Sequence, residues 1–192
     1  MQKKFGDGIS WEQFAEEQKI LPPFIYENTG KKEIIDILKK FLNAGKVLDC
    51  GCNIGRWANL LTEKGFEYTG IDQSQKAIDM AKMRYPNYTF IQGFLWDMTF
   101  KGEFDLAFCN NVLQHNTLQE KKRVLPKINQ ALKIDGYLFL NESTTNEPTL
   151  TQLTYEGWIN LITTYGFKFL ESWQLNQLGL TECYFFKKEK NQ

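Results

Sequence analysis

Lys46-Val47-Leu48-Asp49-Cys50-Gly51-Cys52-Asn53-Ile54-Gly55-Arg56-Trp57 decides the fold. A short apolar strand runs into an acidic residue, a glycine-spaced turn follows, and a helix opens behind it. That order builds a nucleotide-sized crevice at the carboxyl end of a strand. A second strand, Tyr68-Thr69-Gly70-Ile71, ends at Asp72, and a carboxylate there can accept hydrogen bonds from both hydroxyls of a ribose. The pair points to a nucleoside cofactor. Asp72 has a second role open to it, capping the helix that starts near Ser74.

Outward from this core, strands and helices alternate. Strands are predicted at 47–50, 68–72, 88–91, 104–109 and 137–140, with helices at 55–64, 75–84, 118–132 and 155–165. Ser74 is a predicted N-cap, Gly65 a helix end, Pro126 a kink or break in its helix, and Asp135-Gly136 the turn before the fifth strand. The run 104–109 is almost wholly apolar, as suits a strand buried on both faces. Strands at 167–173 and 183–187 close the chain with no helix between them, so they pair antiparallel. The fold class is α/β: a Rossmann-like, seven-stranded, mostly parallel sheet with an antiparallel C-terminal pair and helices on both faces. Before it, helices at 10–19 and 31–42, separated by Pro22-Pro23, read as an appended cap over residues 1–45; 46–187 form the main domain and 188–192 a polar tail.

Composition narrows the partners. The chain has 192 residues, enough for one well-cored domain, and 23 basic residues balance 23 acidic ones. A neutral surface favours neither a nucleic-acid backbone nor an anionic membrane. No apolar run reaches membrane-spanning length and the N-terminus carries no signal-peptide core, so a cytoplasmic protein is expected. Cys50 and Cys52 stand too close for the usual zinc pairing, Cys109 reads as a core residue, and His115 is the only histidine; no metal site is expected.

Four pieces in order, VLDCGCNIGRW at 47–57, TGIDQSQKAIDMA at 69–81, IQGFLWDMTF with EFDLAFCNNVLQH across 91–115, and ALKIDGYLFLNE at 131–142, resemble class I S-adenosylmethionine-dependent methyltransferases. The resemblance covers roughly residues 42–187. It implies S-adenosylmethionine as cofactor. It places Asp49, Gly51, Cys52, Asn53 and Gly55 by the methionine moiety, with Asn53 where the family often has glycine, and Asp72 and Gln73 by the ribose. Phe94, Leu95, Trp96 and Asp97 fall by the adenine, although many relatives have aspartate where Phe94 stands; Trp96 is equally readable as core. Asn110 and Asn111 open the loop facing the reactive methyl. On the acceptor side the resemblance places Gln114, Glu142, Ser143, Trp173, Asn176 and Gln177, and Tyr26, with Trp11, Phe14 and Phe24, in a lid formed by the cap.

His115 is the candidate general base, because imidazole titrates near neutrality; its other reading is a loop-pinning residue. The stretch Cys109-Asn110-Asn111-Val112 lacks the Asn/Asp-Pro-Pro-aromatic motif of enzymes that methylate DNA adenine. The expected function is methyl transfer to oxygen or nitrogen of a small-molecule acceptor. Methylation of a protein N-terminal α-amine and a non-catalytic cofactor-binding scaffold are the alternatives. A nicotinamide dehydrogenase needs a G-x-G-x-x-G spacing that 51–55 lacks.

Overall fold

The central strand explains the architecture. In a computed structural model, which describes residues 31–175 and 181–190, Phe104–Asn110 (β4) has Leu106, Ala107, Phe108 and Cys109 fully buried, with a layer of helices on each face. Around it the sheet runs β3-β2-β1-β4-β5-β7-β6, formed by Gly45–Cys50 (β1), Phe66–Asp72 (β2), Thr89–Gln92 (β3), β4, Leu132–Ser143 (β5), Phe167–Gln174 (β6) and Thr181–Lys188 (β7). Every pairing from β3 to β5 is parallel, and β7 runs antiparallel to both neighbours. The expected seven-stranded fold is present. The helix at 10–19, the proline pair, Tyr26 and the other lid aromatics, Asn176 and Gln177 lie outside the described residues.

Side-chain alternation along the strands sorts the core into two layers. One face carries Val47, Phe108, Phe139 and Phe185 under Lys31–Lys39 (α1), Ala58–Glu63 (α2) and Gln75–Arg84 (α3). Phe108 stacks on Phe139 with centroids 5.0 Å apart, and α1 contributes Ile34, Ile35 and Leu38. The opposite face carries Leu48, Cys50, Ala107 and Leu140 under Leu118–Ala131 (α4) and Tyr155–Thr163 (α5).

Three local expectations are corrected. Pro126 does not break its helix: α4 is continuous through it, because Val124, Leu125 and Ile128 are wholly buried and the carbonyl that proline cannot serve belongs to exposed Lys122. Asp135-Gly136 is not a turn before the fifth strand but an irregularity within it. Leu132 pairs with Phe104 and Tyr137 with Leu106, so β5 carries extra residues there, and Asp135 takes φ 64° to absorb them. Helix α2 begins at Ala58, not Gly55, because Asn53 and Gly55 both have positive φ and cannot continue a helix.

Candidate active site

The parallel strands β1 to β5 all end on one edge of the sheet, and sequence order reverses between β1 and β4. Such a switch point opens a crevice at the strand ends. The turn after β1 folds over it: the Gly51 and Cys52 N–H groups both donate to the Ile71 carbonyl, at 2.8 and 3.1 Å. Gly51 has φ 76°, and a Cβ there would lie 2.6 Å from the Val112 side chain. Gly55 has φ 75°, and its Cβ would lie 2.9 Å from the Phe90 ring. Both glycines are therefore required by the chain's own packing. Asn53, at φ 50°, holds the left-handed turn expected of it and accepts the Ile54 N–H on its own side chain, at 2.8 Å.

Asp72 joins the two turns. One carboxylate oxygen accepts the Asn53 N–H at 2.9 Å and the other accepts the Ser74 N–H at 2.9 Å. Ser74 caps α3 through its hydroxyl, which accepts the Ala77 N–H, so the capping role open to Asp72 falls to Ser74. Gln73 is exposed, and its carbonyl accepts from the Gln92 side chain.

Asp49 is buried at the end of β1 and accepts the Tyr68 hydroxyl at 2.7 Å. Burial pushes its pKa up to about 7 against that hydrogen bond, and the nearby Asp72 charge adds to the rise. Cys52 is buried beside it, and burial holds its thiol protonated. Past β3, Phe94 is exposed and stacks on Trp96 at 4.7 Å, with the Arg123 guanidinium 4.9 Å from the Trp96 ring. Leu95 and Trp96 pack against the second core layer, and Asp97 is exposed like Phe94.

The loop after β4 is pinned from beneath. Glu142, expected past the fifth strand on the acceptor side, lies inside β5 and is fully buried. Its carboxylate accepts the N–H groups of Val112, Leu113 and Gln114 at 3.1, 2.8 and 2.9 Å. That correction makes it a holder of the loop and not a surface contact. Burial pushes its pKa up to about 7, opposed by the three N–H donors and by Lys121. The Gln114 side-chain carbonyl accepts the Ser143 N–H at 2.5 Å, and its amide nitrogen lies 3.5 Å from the exposed His115 ring. Removal from water, and after it the Lys121 charge, hold the His115 pKa below its usual value and so favour the neutral imidazole. Asn110 accepts from the Asn141 side chain at 2.9 Å, and the Asn111 N–H donates to the Asn141 carbonyl at 2.7 Å.

Three participants were missed from sequence. Tyr68 shares the strand face of Phe66 and Gly70, a signal that marks it as inward but not as a donor to Asp49. Lys121 sits on the buried stripe of α4 with Val124, Leu125 and Ile128, and that spacing was the readable signal. Its ammonium donates to the Asn116 and Thr151 carbonyls and lies 5.2 Å from the Trp158 ring; burial pushes its pKa down to about 8. Asn141, at the end of an apolar run, is the third. Among the described residues no cluster of three metal-ligating side chains occurs, and no helix is long and apolar enough to cross a membrane.

Comparison with known proteins agrees with this geometry. Residues 47–136 match the model of a methyltransferase domain. An uncharacterized methyltransferase of Synechocystis is 33% identical over 96 residues, which are 50% of this chain and 45% of that protein; the chain thus spans less than half of that relative's length. Among solved structures, the PH0226 protein of Pyrococcus horikoshii OT3 superposes with TM-score 0.77 at 19% identity, over 91% of this chain and 99% of that one. The Burkholderia thailandensis 1,6-didemethyltoxoflavin-N1-methyltransferase, with bound 1,6-didemethyltoxoflavin and S-adenosylhomocysteine, superposes with TM-score 0.71 at 17% identity, over 95% and 92%. At these identities the likeness is one of fold.

Proposed function

We propose that the chain, whose residues 47–136 match a methyltransferase domain, is a class I S-adenosylmethionine-dependent methyltransferase that transfers a methyl group to oxygen or nitrogen of a small-molecule acceptor. The cofactor, when bound, supplies an electrophilic methyl on a sulfonium: the acceptor's lone pair bonds to that carbon, the carbon–sulfur bond breaks onto sulfur, and the acceptor loses its proton. The protein's part is alignment and removal of that proton. The observation that carries the reading is Asp72, a carboxylate at the carboxyl end of β2 that joins both cofactor-side turns at the switch-point crevice, where a ribose-binding acid belongs. In this reading Phe94 borders the adenine, and Asp49, ionised by a nearby cation, faces the methionine moiety. Neutral His115, on the loop that Glu142 pins, receives the acceptor's proton. The Burkholderia neighbour, which holds 1,6-didemethyltoxoflavin and S-adenosylhomocysteine, supports a small acceptor.

Calorimetry with S-adenosylhomocysteine, S-adenosylmethionine and NAD tests it. Asp72→Ala is expected to weaken S-adenosylhomocysteine about 10- to 100-fold, the worth of one charge-assisted hydrogen bond or slightly more. Asp72→Asn, which keeps one acceptor for the two turns, should lose affinity with the fold intact. Undiminished binding by both variants, or binding of NAD alone, refutes the proposal.

A further inference from the structure

Asn141 has one polar atom that the fold does not use. The residue is 3% exposed. Its side-chain nitrogen donates to Asn110 and its backbone carbonyl accepts the Asn111 N–H, yet its side-chain oxygen is buried with no hydrogen-bond partner. Buried acceptors of this kind are few in native proteins, and each calls for a reason.

Position supplies the reason. Asn141 pairs with Asn110 and shares a sheet face with Phe139 and Phe108. Neighbouring strands stand about 4.8 Å apart, so β5 lies three strands, about 14 Å, from the strand that carries Asp72. A cofactor held with its ribose at Asp72 and its methionine moiety at the turn after β1 would carry its reactive methyl towards the ends of β1 and β4. The atom that receives it then lies over β4 and β5.

Building on the methyl-transfer reading, we propose that the side-chain oxygen of Asn141 accepts an N–H or O–H from the attacking group of the acceptor. The acceptor class is thereby narrowed to molecules whose methylated atom carries a hydrogen: alcohols, phenols and amines. An amide oxygen is too weak a base to take the proton. It orients the lone pair towards the methyl carbon. The new bond forms as the carbon–sulfur bond breaks onto sulfur, and the proton passes to His115 or to solvent. A site built around such a hydrogen bond rejects analogues that lack the donor far more strongly than an apolar pocket does.

Sinefungin tests this without knowledge of the acceptor, because it carries an amine on the carbon that replaces the methylated sulfonium. Wild-type protein should bind sinefungin about 10-fold more tightly than S-adenosylhomocysteine by calorimetry. Asn141→Leu should keep its affinity for S-adenosylhomocysteine and lose the preference for sinefungin. Asn141→Ser, smaller and polar, is the second variant and should also lose the preference. A preference absent in wild type or retained in both variants overturns the inference, as does equal weakening of both ligands. Failure of wild type to bind S-adenosylhomocysteine at all instead overturns the cofactor reading beneath it.

Discussion

Asp49→Asn should stabilise the free protein at pH 8 and leave it unchanged at pH 4. The side chain is buried with one partner found, the Tyr68 hydroxyl at 2.7 Å, and an asparagine oxygen can accept that hydrogen as well. What the substitution removes is a buried charge. Burial raises the carboxyl pKa from 3.8 to about 7 in the folded state. At 1.36 kcal/mol per pH unit the difference is about 4 kcal/mol, an upper bound because relaxation and water penetration reduce such penalties.

The sign follows from linkage. The folded state holds the proton more firmly than the unfolded chain. The group's contribution is therefore complete below about pH 4, falls as pH rises, and is gone above about pH 7. The variant has no such proton to lose. Urea titrations at pH 4, 6 and 8 should show the two proteins diverging, with Asp49→Asn ahead by about 2–4 kcal/mol at pH 8. The gain should come with weaker binding of S-adenosylhomocysteine, whose ammonium loses a carboxylate. Parallel stability curves across the pH range would refute the reasoning, because they would mean that Asp49 is hydrated or ionised in the free protein without penalty.

Glu142→Gln should do the reverse, costing about 2 kcal/mol at pH 7, since one of its two accepting oxygens becomes an NH₂ aimed at a backbone N–H. Hydrogen exchange at residues 112–114 should accelerate, and a net stabilisation would sink the loop-pinning role. Lys121→Met should cost about 2–4 kcal/mol in urea titrations, because two carbonyls lose a charged donor and Glu142 loses its nearby cation; an unchanged midpoint would mean that water serves those carbonyls. His115→Gln, assayed by S-adenosylhomocysteine release once an acceptor is in hand, should lower kcat about 10²- to 10⁴-fold. It should also erase the acid limb of the pH profile, which lies below pH 6.5 in wild type; a surviving limb would assign the proton elsewhere.

The sheet was legible because its signals are redundant. The apolar run of β4, the paired turns at Gly51–Gly55 and Asp72–Ser74, and the helix-free connection between β6 and β7 together point to a mostly parallel sheet closed by an antiparallel pair, while the strand order itself comes from the structure. Misreadings came where a local signal has two physical outcomes. Asp135-Gly136 favours positive φ, which a turn and a bulge both use, and only the pairing of Leu132 with Phe104 decides between them. Pro126 weakens a helix by a fixed local amount, while the apolar stripe of α4 holds it by tertiary burial that the local sequence does not announce. The candidate site followed the same division. Asp49, Asp72 and Asn53 were readable from motif position, whereas the partners that give them their character were not: Tyr68 for Asp49, and the Asn53 and Ser74 N–H groups for Asp72.

Asp49 and Glu142 show why a raised carboxyl pKa does not by itself define a role. Both are buried and both titrate near pH 7. They sit on opposite faces of the sheet, since Asp49 follows Val47 in the first core layer and Glu142 follows Leu140 in the second. Glu142 faces three backbone donors and a nearby ammonium; its anion has partners throughout, and the loop after β4 is the structure those partners belong to. Asp49 has a single hydroxyl donor and the like charge of Asp72 nearby, so its anion is under-served until something cationic arrives. A sulfonium cofactor with an α-ammonium is such a cation. Its affinity should therefore tighten as pH rises from 6 to 8 in wild type and stay flat in Asp49→Asn, a contrast that a purely structural carboxylate such as Glu142 would not produce.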